Sequence, residues 1–374
     1  MKKPMDVAQL ENAFQNNFKT RGELGASVSV WKDGQEIASL AAGWCEREQE
    51  RKWGVETLVP FYSVTKGLAA ATVLVSLERN DLSPEDLIVS VWPDFPQKAA
   101  TFAELMSHQL GLAALDDVAD VFDHDAVIAV IEKQPANWRP KSQHGYHPRT
   151  IGFIFEEIVR RITGKTLGQV WRADIADPLG LEAWIGLPEE QFDRVARLYP
   201  GRQNKEDLES GFYKELHREG SLVRRSFFSP RGLHSVREMS DSQAWQAGLP
   251  AMGGIGTAHA LAKFYQAACG ALEFFSNEIR QRMETVLVTG NDQILQTRTS
   301  FSCGFQLDPL DQFGRKERHH YGLSRRGFGH PGAGGSHAFG DPENGMSFAY
   351  VMNQMELSPM PGAKSLEMVK AMYL

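Results

Sequence analysis

Residues 60–67 read Pro60-Phe61-Tyr62-Ser63-Val64-Thr65-Lys66-Gly67, and an almost wholly apolar run, LAAATVLV, follows at 68–75. A helix from near Ser63 to about Glu78 would be apolar on nearly every side, so we expect it to be buried. Ser63 and Lys66 are three residues apart, a spacing that places two side chains on one face of a helix. The hydroxyl of Ser63 and the amine of Lys66 are therefore predicted to point into the same space.

This pair has the chemistry of a nucleophile and its base. The N-terminus of a helix offers free N–H groups and favours negative charge, which helps to form an alkoxide and to stabilise an oxyanion. The same positive end, together with burial, lowers the pKa of Lys66, so that its amine can accept a proton. The motif alone leaves a second interpretation open, in which Ser63 is only the cap of a core helix.

A second copy of Ser-x-x-Lys shows how little the motif means without its surroundings. Ser29 and Lys32 have the same spacing, but they lie in an alternating run that ends in Asp33-Gly34. Such a run is typical of a strand followed by a tight turn. Only the Ser63 copy precedes a buried helix.

Composition excludes several classes of function. The chain has 374 residues, enough for about two domains, with 42% hydrophobic residues and a net charge of −7 that argues against nucleic acid as a partner. Its three cysteines are widely spaced and form neither a disulfide framework nor a metal motif. We find no secretory signal and no apolar run of about 20 residues that could span a membrane. A cytoplasmic location is the expectation.

The order of elements predicts an α+β fold with an antiparallel sheet. A hairpin is predicted at residues 26–43, and strands are expected near the C-terminus at 303–307, 335–339 and 347–351. The two terminal helices are expected at 7–20 and 362–373. The sheet would then join both ends of the chain, with the terminal helices on one face. We expect a discontinuous α/β domain of residues 1–78 and 255–374, and a mostly helical domain of residues 79–254. Within the latter, a helix is predicted to start at 81–86, and residues 200–250 are predicted to be an irregular functional loop or lid, or else disordered.

Tyr146 is a candidate acid or base. It lies in Gln143-His144-Gly145-Tyr146-His147-Pro148, directly before a helix predicted at 151–162. A packing role for this tyrosine is the open alternative. His144 and His147 have no third ligand at a useful spacing, so no metal site is predicted.

Residues 327–332, Gly-Phe-Gly-His-Pro-Gly, match the letters of a dinucleotide motif, but a glycine-rich strand and no helix follows them. No cofactor is therefore predicted. The glycines instead indicate that a ligand lies against a strand edge. His330 would face that ligand as a neutral donor or acceptor, and the N–H of Ala333, beyond Gly332, would be a second oxyanion donor beside the N–H of Ser63.

With Ser63-Val64-Thr65-Lys66, Tyr146 and His330-Pro331-Gly332 in this order, the chain resembles the serine β-lactamase and penicillin-binding-protein-like hydrolases. Within that superfamily it is most similar to the family VIII carboxylesterases, which resemble class C β-lactamases, over about residues 25–355. The resemblance implies a β-lactamase/transpeptidase-like fold, with the site in a cleft between a helical domain and an antiparallel sheet. It also implies that Ser63 is acylated, that Lys66 and Tyr146 share proton transfer, and that His330 and Gly332 line the acyl site.

Two departures from the family pattern bear on the substrate. The family's Tyr-x-Asn is here Tyr146-His147-Pro148, which lacks the amide, and its Lys-Thr-Gly is here His330-Pro331-Gly332, which lacks the fixed cation. Both losses weaken the recognition of lactams and peptides and favour neutral acyl esters.

The leading hypothesis is thus a serine carboxylesterase that forms an acyl-enzyme with a small-molecule ester. The alternatives are a β-lactamase or D-amino-acid peptidase, an acyltransferase, and a non-catalytic acyl-binding or sensor protein. The sequence leaves the physiological substrate and the oligomeric state open.

Overall fold

The computed structural model describes residues 6–202 and 211–374. The strands, numbered along the chain, are β1 Gly25–Lys32, β2 Gln35–Gly43, β3 Val59–Pro60, β4 Ala183–Ile185, β5 Gly254–Gly256, β6 Val288–Asn291, β7 Arg298–Phe301, β8 Gln306–Leu307, β9 Phe328–Pro331, β10 His337–Asp341 and β11 Met346–Met352. The α-helices are α1 Val7–Thr20, α2 Thr65–Glu78, α3 Phe102–Met106, α4 His124–Lys133, α5 Thr150–Thr163, α6 Leu167–Trp171, α7 Asp177–Leu179, α8 Gly211–His217, α9 Leu222–Phe228, α10 Val236–Met239, α11 Ser242–Gln246, α12 Ala258–Ala268, α13 Asn277–Glu284 and α14 Ala363–Ala371.

The main sheet has eight antiparallel strands in the order β2-β1-β11-β10-β9-β8-β7-β6. The predicted hairpin is present as β1 and β2, with a turn at Asp33-Gly34 where both residues have positive φ. Strand β1 pairs along its other edge with β11, so that Ala26 lies opposite Met352. The predicted antiparallel sheet, built from both ends of the chain, is confirmed.

The two faces of this sheet are covered by different helices. On one face, the terminal helices α1 and α14 pack together, and Phe14 and Met368 share a core cluster with Val28 and Tyr350. On the other face, α12 packs against β1, β10 and β11. Because successive side chains of a strand point to opposite faces, Ala349, next to Tyr350, belongs to the second core.

Helix α2 is the centre of the molecule. Every residue from Thr65 to Leu77 is buried, and the helix packs against α5, α6 and strand β9. This burial confirms the expectation drawn from its uniformly apolar sequence. The position of α2 between the sheet and the other helices places its N-terminus beside the end of β9.

Two local predictions in the middle of the chain are wrong. No α-helix starts at residues 81–86, because the Asp86 carboxylate accepts a hydrogen bond from the Ser83 N–H at 2.7 Å and closes a turn instead. A short 3-10 helix, Ile88–Ser90, is all that follows before α3.

Residues 211–246 are not irregular either, since they form the four short helices α8–α11. The side chains of Ser221, Ser235 and Asp241 cap the last three of these helices. Residues 203–210, also within the predicted loop, lie outside the described residues. The proposed division into domains at residues 79 and 254 stays a prediction.

No helix in the described ranges 6–202 and 211–374 combines the length and the apolar character needed to cross a membrane.

Candidate active site

The turn before α2 holds Ser63 in a fixed position. The Phe61 N–H donates to the carbonyl of Gly254 at 3.0 Å, and the Gly254 N–H donates to Oγ1 of Thr65 at 2.8 Å. A Cβ on Gly254 would lie 2.3 Å from the Phe61 ring, so this close contact requires a glycine. Tyr62 has a φ of +48°, a strained value for a residue with a side chain. Ser63 follows it, half-buried, just before the first turn of the helix.

Lys66 makes three polar contacts from a buried position. Its Nζ lies 3.1 Å from Oγ of Ser63 and donates to the carbonyls of Pro148 and Ala251, each at 2.8 Å. Burial, and to a smaller extent the charge of Arg149, lower the pKa of Lys66 well below its usual 10.5. A neutral amine has two N–H donors, which the two carbonyls use. Its lone pair is then directed at the Ser63 hydroxyl.

Tyr146 packs next to Lys66. The Nζ of Lys66 is 4.7 Å from the centre of the Tyr146 ring. The Tyr146 hydroxyl is buried and has no hydrogen-bond partner of ordinary geometry among the described residues. Burial raises the pKa of this phenol well above its usual value, although the nearby Ser63 hydroxyl acts in the opposite direction. The phenol is therefore protonated near neutral pH and can give up a proton.

Two side chains that the sequence analysis did not identify hold Tyr146 in place. Both carboxylate oxygens of buried Asp292 accept hydrogen bonds from the Tyr146 N–H. The ring of His108 packs edge-on against the Tyr146 ring at 5.2 Å, and its Nδ1 accepts a hydrogen bond from the His147 N–H at 3.2 Å. No sequence signal marks Asp292.

The end of β9 brings the third predicted group to the site. The rings of His330 and Tyr146 are 5.8 Å apart. Burial and the charge of Lys66 lower the pKa of His330 to about 3, so the imidazole is neutral at physiological pH. Its Nδ1 lies 2.7 Å from the Pro331 carbonyl, and its buried Nε2 has no partner in the described part of the protein.

Gly332, directly after β9, packs against the turn before α2 that holds Ser63, here called the Ser63 turn. A Cβ at this position would lie 2.2 Å from the Phe61 carbonyl oxygen, so the two backbones are in direct contact. The Gly332 N–H is used in a 2.6 Å hydrogen bond to the carbonyl of Ser336. Ala333 is the next residue, and it lines the cleft described below.

His144 and His147 contact other protein groups. His144 Nε2 lies 2.8 Å from Oγ1 of Thr299, and Nε2 of His147 accepts a hydrogen bond from the Leu112 N–H at 2.9 Å. No cluster of three potential metal ligands occurs in residues 6–202 and 211–374.

A cleft of about 1030 Å³ opens beside this group of side chains. Tyr62, Ala333 and Gly334 form its edge next to the Ser63 turn. Its walls are largely aromatic and aliphatic, with Tyr199, Phe212, Tyr213, Phe227, Leu233 and Trp245 among them. The cleft is large enough for a drug-sized molecule.

Comparison with known proteins agrees with this geometry. Residues 10–370 match the model of the Beta-lactamase family. The esterase/beta-lactamase LipL of Mycobacterium tuberculosis is 28% identical over 370 residues, which are 93% of this chain and 81% of LipL. Esterase EstB of Burkholderia gladioli is 26% identical over 211 residues, 50% of this chain and 53% of EstB.

Solved structures extend the similarity over the whole chain. A penicillin-binding protein homologue from Caulobacter crescentus has a TM-score of 0.86 and 31% identity, covering 100% of this chain and 98% of the homologue. A family VIII carboxylesterase also has a TM-score of 0.86, with 26% identity and the same coverage of both chains. The chain therefore belongs to the Beta-lactamase family and is a serine hydrolase with the β-lactamase/transpeptidase-like fold.

Proposed function

We propose that the protein is a carboxylic ester hydrolase in which Ser63 is the acylated nucleophile. The observation that carries this proposal is the position of Lys66 Nζ, 3.1 Å from Oγ of Ser63, with two carbonyls as its other partners. An amine held in this way accepts the Ser63 proton as Oγ attacks the ester carbonyl. Its lowered pKa keeps it in the basic form at a lower pH than a free lysine.

The remaining groups fit the later steps. The N–H groups of Ser63 and Ala333 stabilise the oxyanion of the tetrahedral intermediate. Tyr146 acts as an acid and donates its phenolic proton to the departing alkoxide, a role that suits its raised pKa. Lys66 returns a proton to Tyr146, and water then hydrolyses the acyl-enzyme.

Two features favour neutral esters as substrates. His330 is neutral at physiological pH and offers no fixed positive charge to a substrate carboxylate. Pro148 has no amide side chain to bind a peptide or lactam. The names of LipL and EstB, both esterases, agree with this substrate class.

A β-lactamase is the second candidate, because the name of LipL includes that activity. The same acyl-enzyme chemistry would open a lactam ring. Nitrocefin and p-nitrophenyl acetate, compared by kcat/KM, distinguish the two candidates, and we expect the ester to be the better substrate. An acyltransferase activity is detected by the transfer product formed when an alcohol acceptor is added.

Ser63→Ala tests the proposal directly, and the second Ser-x-x-Lys copy offers a matched control. We expect Ser63→Ala to abolish the hydrolysis of p-nitrophenyl acetate. Ser29→Ala removes a serine from strand β1, where its hydroxyl hydrogen-bonds to Glu36, and should leave kcat unchanged. Wild-type turnover by Ser63→Ala would eliminate Ser63 as the nucleophile.

A cytoplasmic location remains part of this proposal. All three cysteines, Cys45, Cys269 and Cys303, are unpaired, as expected in a reducing compartment.

A further inference from the structure

Arg149 is a buried cation beside the proposed catalytic lysine. It directly follows Pro148, whose carbonyl accepts a hydrogen bond from Lys66, and it is only 4% exposed. A buried charge is costly unless several hydrogen bonds satisfy it. Glu238 attracts its charge from a distance, but no carboxylate of the described residues lies within ion-pair distance. The guanidinium is held by hydrogen bonds through Nη1 and Nη2, while its buried Nε has no partner among those residues.

The guanidinium contacts one wall of the cleft. Nη1 donates to the carbonyl of Phe227 at 3.1 Å, and Nη2 donates to the carbonyl of Gly232. Nη1 also lies 3.0 Å from Nδ1 of His234. These acceptors belong to residues 222–234, here called the wall segment, which presents Phe227 and His234 to the cleft. The planar fork of an arginine holds two carbonyls from two separate nitrogens in a fixed geometry, whereas all donors of a lysine lie on one nitrogen.

The same residue affects Lys66 electrostatically. The titratable groups packed around Lys66 are Tyr146, His108, His147, His330 and Arg149. Burial keeps the tyrosine protonated and lowers the pKa values of the three histidines, to about 4 for His147 and about 3 for His330, so these four groups are neutral at pH 7. Arg149, with a pKa of about 10, remains charged and disfavours a second charge on Lys66.

We propose that Arg149 is a positioning residue that couples the wall segment to Lys66. Its side chain fixes the cleft wall against which the substrate packs, and its charge keeps the lysine in the form that accepts the Ser63 proton. This inference rests on the proposed function, since it assigns Lys66 the role of base.

Two substitutions separate these effects. Arg149→Met removes both the charge and the fork, whereas Arg149→Lys keeps the charge and loses the fork. Arg218→Met is the matched control, because Arg218 lies just after α8, has a side chain 60% exposed and forms an ion pair with nearby Glu215.

The first measurement is the pH dependence of Ser63 modification by a small fluorophosphonate, which does not require ester turnover. Neutral Lys66 is the reactive form, so the rate falls as the pH drops through the pKa of Lys66. Removing the neighbouring positive charge raises that pKa. We expect the acid limb to move to higher pH by about one unit in Arg149→Met and to stay in place in Arg149→Lys and Arg218→Met.

The second measurement compares kcat/KM for p-nitrophenyl octanoate, whose long acyl chain the proposal places in the cleft, with that for p-nitrophenyl acetate. We expect the octanoate-to-acetate ratio to fall about tenfold in both Arg149 variants and to be unchanged in Arg218→Met.

A folded Arg149→Met protein with a wild-type acid limb, or one whose kcat/KM falls equally for both esters, overturns the proposal. If Arg149→Met does not fold, an unchanged octanoate-to-acetate ratio in Arg149→Lys overturns it. A wild-type enzyme that reacts with the fluorophosphonate but hydrolyses no ester refutes the proposed function, whereas the acid-limb comparison still tests Arg149.

Discussion

The main-chain N–H of Tyr146 donates to both carboxylate oxygens of Asp292, at 3.0 and 3.2 Å. The same carboxylate accepts from the N–H groups of Ile294 and Leu295, at 2.8 and 2.9 Å. One buried side chain therefore joins the loop that carries Tyr146 to the loop between β6 and β7. The position of the phenol depends on a residue far away in the sequence.

Replacing Asp292 should therefore reduce catalysis through Tyr146. In Asp292→Ala the Tyr146 amide is left buried without a partner, and we expect kcat for p-nitrophenyl acetate to fall at least about tenfold, with a lower Tm. Asp292→Asn keeps one acceptor oxygen and should retain more activity. Wild-type kcat in Asp292→Ala would show that this carboxylate does not position the phenol.

Tyr146→Phe should separate activity from stability. The Tyr146 hydroxyl is buried near the Ser63 hydroxyl but has no hydrogen-bond partner of ordinary geometry among the described residues. Its removal should therefore change the free energy of unfolding by less than about 1 kcal/mol. As the proposed proton donor, however, the hydroxyl should contribute about 10²–10⁴-fold to kcat. Urea unfolding and steady-state kinetics on the same preparation measure both quantities. A variant that keeps its kcat, or one that unfolds easily, would argue for a packing role instead.

His330 should set the preference between neutral and anionic substrates. Its pKa is lowered to about 3, so the imidazole gains a charge only as the pH falls through that value. We expect KM for a neutral ester to be free of any His330 titration between about pH 5 and pH 9. His330→Lys should raise the nitrocefin-to-ester ratio of kcat/KM, whereas neutral His330→Gln should not. Equal ratios in the two variants would remove charge at this position as the reason for the preference.

Gly332→Ala should disrupt the site from the side of the sheet. The added Cβ would lie 2.2 Å from the Phe61 carbonyl oxygen, a backbone atom that cannot move without displacing the Ser63 turn. We expect kcat/KM to fall by about 10²-fold. Gly211→Ala is the control, since the nearest atom of the described residues to a Cβ there is 3.9 Å away, and it should be tolerated. Full activity in Gly332→Ala would mean that the contact is not needed for the reaction.

The parts of this protein that could be predicted from sequence depend on local patterns. Helix α2 is an uninterrupted apolar run, and the hairpin β1–β2 has alternating residues and a strong turn signal. The spacing of Ser63 and Lys66 then brings their side chains into contact. Helices α8–α11 were missed because four to seven residues are too few to show a helical period. The sequence nevertheless contains signals for their N-terminal caps, such as the capping box formed by Ser235 and Glu238.

The supporting residues of the site could not be predicted, because their partners are distant in the chain. Asp292 meets Tyr146 across 146 positions, and Arg149 meets Phe227 across 78. Nothing near either residue indicates a polar contact of this range. The resemblance to a family suggested which groups react, but not which groups hold them.

The pairing of β1 with β11 has a consequence for synthesis on the ribosome. The Ser63 turn emerges early, but the inner edge of the N-terminal hairpin has no neighbouring strand until Met346–Met352 has been translated. Until then β1 exposes unpaired backbone groups that can bind to other nascent chains. The edge of β1 is consequently protected from such pairing only when translation is nearly complete.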